Sequence, residues 1–312
     1  MTVTDPAGKG TNGPAPTGVA PHSVQQRPVP EFTGHPWDRE DAMSNPQPAA
    51  RIVVGIDGSD AAINAARWAV GEAVSRGVPL RLIHAVPERS GAAGEESLDV
   101  EYAQTSLRAA DAALAAMGEP VKVECDIAHG SPESALIAES RHAAMICVGS
   151  VGSGWVARRV LGSTAEAVAR KAHCPVAVIR GGGESAGTEP GYVAVAVDDS
   201  PGNDAVLEHG FREARLRCAP ILAMGVWRWG FGEIPFRQLD HRLGPWVSRY
   251  PDLHVQPAAA RHGAPDFLTH TQESVQLAVV SAEDADKVAR MVGPINPHPS
   301  GHAGCSVLVV RD

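Results

Sequence analysis

The chain of 312 residues contains no run of 18 or more apolar residues, which excludes a membrane-spanning helix. It also lacks positive charge: 27 Lys and Arg stand against 36 Asp and Glu, a formal net charge of −9. That balance excludes a protein that coats nucleic acid through a basic face. The five cysteines are scattered and none forms a Cys-x-x-Cys pair, so neither a disulfide framework nor a zinc cluster is expected. Cys125, Cys147 and Cys305 lie in or beside apolar runs and read as reduced core thiols, which suits a cytoplasmic protein. The N-terminal MTVTDPAGKG has neither the basic start nor the apolar stretch of a secretory signal. No Gly-x-x-x-x-Gly-Lys sequence occurs, which rules out P-loop NTPases.

What is present is enough apolar material, 44%, for packed cores in about two domains plus a tail. Residues 1–50 hold nine of the 25 prolines amid Gly, Ser, Thr and Gln, and are expected to form a disordered tail. A Pro-rich docking peptide is the alternative. From Arg51 the texture changes. RIVVGID reads as a buried strand, followed by a helix capped at Ser59 or Asp60 and stopped by Gly77 and Pro79. LRLIHAV (80–86) is a second strand, and a helix near 99–117 leads to a third strand near 121–127. A short helix after Pro132, the strand MICVG (145–149), a helix from about 163 and the strand PVAVIR (175–180) complete the unit. Apolar strands alternating with helices predict a doubly wound parallel α/β sheet covered on both faces.

After a Gly-rich linker at 181–191 the pattern restarts. YVAVAVDDS (192–200) echoes RIVVGIDGS, ILAMGVW (221–227) echoes LRLIHAV, HGAPDFL (262–268) echoes HGSPESAL (129–136), and SVLVVR (306–311) echoes PVAVIR. The chain therefore carries two copies of one unit, 51–180 and 192–312, each a five-stranded sheet. The last strand of the first copy needs a partner at its edge. Either residues 306–311 of the same chain or a second chain, making a homodimer, would supply one.

The segment GSVGSGWVARRVLGST (149–164) concentrates the chemistry, with the spacing Gly-x2-Gly-x9-Gly-Ser over Gly149, Gly152, Gly162 and Ser163. Glycines let backbone amides approach an oxyanion and form a nest. A helix opening at Ser163 adds free amides and a positive dipole end, and Ser163 and Thr164 add hydroxyl donors. Arg158 and Arg159 would meet the outer phosphates, and Trp155 would be a lid or a surface anchor. Asp57 follows strand one and Gly149 ends strand four. If these strands are neighbours, both residues face one crevice beyond the strand ends.

On IVVGIDGS (52–59), HGSPESAL, the Gly149/Gly152/Gly162/Ser163 spacing and HCPVAVIR (173–180), the chain resembles the tandem form of the universal stress protein family, more fully over 51–180 than over 192–311. The resemblance implies a nucleotide-binding fold and ATP, with or without Mg2+, bound by the first copy. It places Asp57 at the adenine or ribose, the backbone around Ala85 at the adenine, and Gly149, Gly152, Gly162, Ser163 and Thr164 around the phosphates. It also implies a nucleotide-dependent regulator of stress response and a dimer built on the last strands. Slow ATP hydrolysis, or a structural module without nucleotide, are the rival readings. No catalytic residue is assigned, because Asp57 and Asp60 lack an evident companion for holding a metal or positioning water.

Counting back from Cys305 sets Val280 at the place of Gly149, Glu283 at Gly152 and Pro294 at Ser163, with Asp198 as the counterpart of Asp57. A glutamate in the nest and three prolines in 293–304 predict a second copy that does not bind ATP in this way. His84 reads as a satisfied strand-end histidine. His298 and His302, four residues apart, lack a third ligand at metal spacing. Trp227, Trp229, Phe231 and Phe236 form an aromatic cluster, a binding crevice or a small satellite core.

Overall fold

The computed structural model describes residues 50–88, 93–151, 161–181, 191–226, 236–293 and 304–311. The 1–49 segment, Gly152, Trp155, Arg158, Arg159, Trp227, Trp229, Phe231, Pro294, His298 and His302 lie outside the described residues.

The first copy runs β1 (Arg51–Gly55), α1 (Asp60–Arg76), β2 (Leu80–Val86), α2 (Ala93–Ala115), β3 (Val123–His129), α3 (Pro132–Glu139), β4 (Ala143–Gly149), α4 (Ser163–Lys171) and β5 (Val176–Ile179). The second runs β6 (Tyr192–Val197), α5 (Asn203–Leu216), β7 (Ile221–Gly225), α6 (Phe236–Arg249), β8 (Val255–Ala259), α7 (Ala264–His270), β9 (Val275–Ser281), a 3-10 helix (Ala282–Lys287), α8 (Val288–Val292) and β10 (Ser306–Val310). Helix α2 begins earlier than the sequence predicts, and β3 is shifted toward its C-terminus.

Local signals account for most boundaries. Ser59 caps α1 by accepting the amide of Ala62 at 3.2 Å, and Gly77 closes the helix in the left-handed conformation. At the place of Gly77, the second copy has Cys218, which also adopts positive φ (49°). Helix α1 buries a face of small residues, Ala61, Ala62, Ala65, Ala66, Ala69 and Ala73, so its backbone rides close to the sheet. Strands β1, β4 and β5 are apolar on both faces because helices cover both.

Each copy has the strand order 3-2-1-4-5, and the two are not separate sheets. They join as one ten-stranded sheet, β3-β2-β1-β4-β5-β10-β9-β6-β7-β8. All neighbouring pairs are parallel except β5 with β10, which run antiparallel with Val178 opposite Val307 and Val176 opposite Val309. Of the two predicted ways to cover the edge of β5, the fold takes the intramolecular one. Arg311 ties the joint, donating from Nη1 to the Cys174 carbonyl at 3.4 Å and from Nη2 to that of Ala169. The duplication extends to irregularities. The ladder of β1 on β4 skips a residue between Arg51 and Ile52, and that of β6 on β9 skips one between Tyr192 and Val193.

Candidate functional site

β1 and β4 are neighbours, as the crevice requires. The strand order reverses there, so the chain leaves the two strand ends toward opposite faces and opens a cleft between them. Beyond β1, Asp57 Oδ1 accepts from the Ser59 amide at 3.0 Å and from its hydroxyl at 2.6 Å. One serine thus fixes the carboxylate and caps α1. Tyr102 of α2 donates its hydroxyl to the Asp57 carbonyl at 3.1 Å.

Ala85 is positioned by unequal ladders. β1 pairs with β2 only as far as Gly55 opposite Ile83, with a last bond from the Ile56 amide to the Ile83 carbonyl at 2.8 Å. β2 pairs with β3 up to Val86 opposite His129. Residues 84–86 therefore overrun β1 and present their β1-side backbone edge to the space above Asp57.

Gly149 ends β4, yet its small size serves packing. A Cβ there would lie 2.7 Å from the backbone carbon of Ala61 and 2.9 Å from its Cβ and oxygen, so glycine is what lets the first turn of α1 sit against the strand end. The predicted role, room for an oxyanion, is not required to explain this residue. Gly162 also differs from expectation. Its amide donates to the Ser150 carbonyl at 2.8 Å, pinning the end of the 150–161 segment to its start, and its backbone is extended (φ −71°, ψ 149°). It is the N-cap of α4 and supplies no side-chain cap, so the first amides of α4, those of Ser163 and Thr164, project outward without intrahelical acceptors. Ser163 is exposed and Thr164 half-buried.

Sequence reasoning undervalued His84. It is 7% exposed, its ring stands edge-on to Tyr102 with centroids 5.7 Å apart, and its Nδ1 has no hydrogen-bond partner. Burial lowers its pKa against the pull of Asp57, so it is a neutral, unsatisfied imidazole beside the crevice.

The second copy closes the equivalent space. Asp198 keeps the turn, with Oδ1 accepting from the Ser200 amide at 2.9 Å and hydroxyl at 2.6 Å. A buried Asn203 then fills the corner, donating to the Ala196 carbonyl at 2.9 Å and accepting from the Asp198 amide at 3.2 Å. Strand register corrects the counted alignment. Met145 pairs with Ile52 and Leu277 with the equivalent Val193, so Ser281, not Val280, occupies the place of Gly149. The second copy is one residue shorter between that point and its last strand, which residue counting from Cys305 absorbed silently. Gly293 is likewise no counterpart of Gly162: it terminates α8, whereas Gly162 opens α4. Ser281 leads directly into the 3-10 helix, which carries Glu283 and Asp284 in its first turn. α8 then packs on α7 and β10 as α4 packs on α3 and β5. Where the first copy has residues 150–162 between β4 and α4, the second has only the six-residue 3-10 helix between β9 and α8.

A duplicated doubly wound sheet, with a strand-order reversal between β1 and β4 in its first half, defines the class as doubly wound α/β proteins. The universal stress protein family model matches residues 49–180. Universal stress protein Rv2624c of Mycobacterium tuberculosis is 46% identical over 260 residues, covering 83% of this chain and 96% of that protein. Another from the same organism, Rv3134c, is 39% identical over 280 residues, covering 86% and 98%. A solved universal stress protein from Archaeoglobus fulgidus shares the fold at 16% identity, with a TM-score of 0.59 over 84% of this chain and 96% of that one. The chain belongs to the universal stress protein family.

Proposed function

We propose that the first copy binds an adenine nucleotide, ATP, and that the protein acts as a nucleotide-dependent regulator whose second copy does not bind nucleotide in this way. The observation that carries this reading is that three features lie together at one strand-order reversal. They are the uncapped amides of α4 at Ser163 and Thr164, the overrunning edge of β2 at Ala85, and the Asp57 carboxylate held by Ser59. The amides and the positive end of α4 suit phosphate oxygens, with the hydroxyls of Ser163 and Thr164 beside them. The β2 edge offers backbone groups to a base, and Asp57 an acceptor for ribose hydroxyls or an exocyclic amine. Gly152 is assigned to the same phosphate site. In the second copy Asn203 and the 3-10 helix stand at the corresponding positions.

Binding without turnover fits the Asp57 carboxylate being engaged by its own turn. Two measurements test the reading. Protein purified from cells and denatured should release adenine nucleotide, and Mg-ATP should raise the melting temperature of the stripped protein. Ser163→Glu places a charge at the first position of α4, where helices tolerate carboxylates. It should leave the unliganded melting temperature unchanged while abolishing the ATP-dependent rise. An undiminished rise would refute the phosphate site, and no rise in the wild type would refute nucleotide binding.

A further inference from the structure

At the junction of the two copies lies a duplicated pair of buried acids. Glu72 on α1 and Glu213 on α5 occupy equivalent places in the repeat, as do Arg76 and Arg217, and both glutamates are 0% exposed. Arg217 bridges them: its Nη1 bonds Glu213 Oε2 and its Nη2 lies 3.5 Å from Glu72 Oε1. Arg76 and Arg212 reach Glu72 Oε2 at 3.2 and 3.6 Å. Arg217 also lies over the Trp68 ring of α1, 4.4 Å from its centroid. One oxygen of each carboxyl, Glu72 Oε1 and Glu213 Oε1, has no hydrogen-bond partner, and the two carboxyl groups flank the same Arg217 guanidinium. Two carboxylates cannot satisfy each other without a proton between them.

We infer that Glu72 and Glu213 hold one proton between them and that this proton makes the joint between the two copies pH-sensitive. The surroundings have been arranged for it. Facing the pair are Arg76 from α1, His209, Arg212 and Arg217 from α5 and its end, and the fully buried Cys147 thiol of β4 beneath; Glu208 flanks Arg212. Burial pushes Cys147 far up, so it stays a neutral thiol. Burial also drives His209 down to about 4, so it is neutral in the fold above pH 6.5; its titration in the unfolded chain opposes the glutamate effect near pH 6.5 and is common to the wild type and Glu213→Gln. Desolvation, more than the opposing pull of Arg217, raises Glu213 to about 8, with the Glu72 carboxyl adding to the rise.

A glutamate protonated in the fold but ionised when unfolded gives stability that is complete below its ordinary range and lost as pH rises toward about 8. The unfolding equilibrium constant should then climb by about tenfold per pH unit between pH 6.5 and 8, levelling above.

Urea unfolding of the full chain from pH 6.5 to 9 tests this against Glu213→Gln, which keeps a hydrogen-bond donor in place of the proton. The wild type should lose stability across that range and Glu213→Gln should not. Equal slopes in the two proteins, or a flat wild type, would overturn the inference. Infrared spectroscopy of the wild type supplies a readout independent of any variant. A protonated-carboxyl band should persist at pH 7 and vanish by pH 9.5, and its absence at pH 7 would equally overturn it. Neither measurement involves nucleotide, so the outcome is separate from the proposed function.

Discussion

Gly149→Ala isolates the packing role of a glycine that the spacing pattern assigns to a ligand. The added Cβ would sit 2.7 Å from the Ala61 backbone carbon and 2.9 Å from its oxygen and Cβ, well inside contact distance. No rotamer relieves the clash, because the obstacle is backbone in the first turn of α1, itself fixed by Ser59. Overpacking of this kind costs about 1–3 kcal/mol. In a chain of this size each kcal/mol moves the melting temperature by about 2–4 °C, so calorimetry should show a fall of about 2–12 °C without any nucleotide present. Gly162→Ala is the contrast, since extended backbone accepts any side chain, and should cost under about 1 kcal/mol. A Gly149→Ala protein that melts like the wild type would refute the packing role of this glycine.

Two further outcomes are expected. Ser59→Ala removes both the cap of α1 and the anchor of Asp57, and should destabilise by about 1–2 kcal/mol in denaturant titration; a loss below a few tenths would show that neither bond matters. Among the thiols, Cys147, Cys174 and Cys305 are buried, and burial raises the latter two to about 12. Alkylation near pH 8 should therefore modify Cys125 and Cys218 in the native protein and all five after unfolding, counted by mass spectrometry. Rapid native labelling of Cys147 would contradict the packing of β4.

Helix caps, apolar strand runs and the repeat of IVVGIDGS as VAVAVDDS were legible because they are local: each depends on residues within one turn or one strand. The crevice was legible in outline for the same reason, since Asp57 and Gly149 each announce the end of a strand. Exact equivalence across the repeat was not, because one missing residue between Ser281 and the last strand leaves no mark in composition, while strand register reveals it at once.

By itself the sequence determined the duplicated α/β unit and the residues that reach the strand ends, since hydrophobic period and capping chemistry leave those elements little choice. Only the tertiary structure decided that both copies merge through β5 and β10 into one sheet, that Gly149 makes room for Ala61, and that Glu72 meets Glu213. Each of these depends on two segments distant along the chain lying within a few ångströms of each other. Such proximity is set by packing, which no local pattern records.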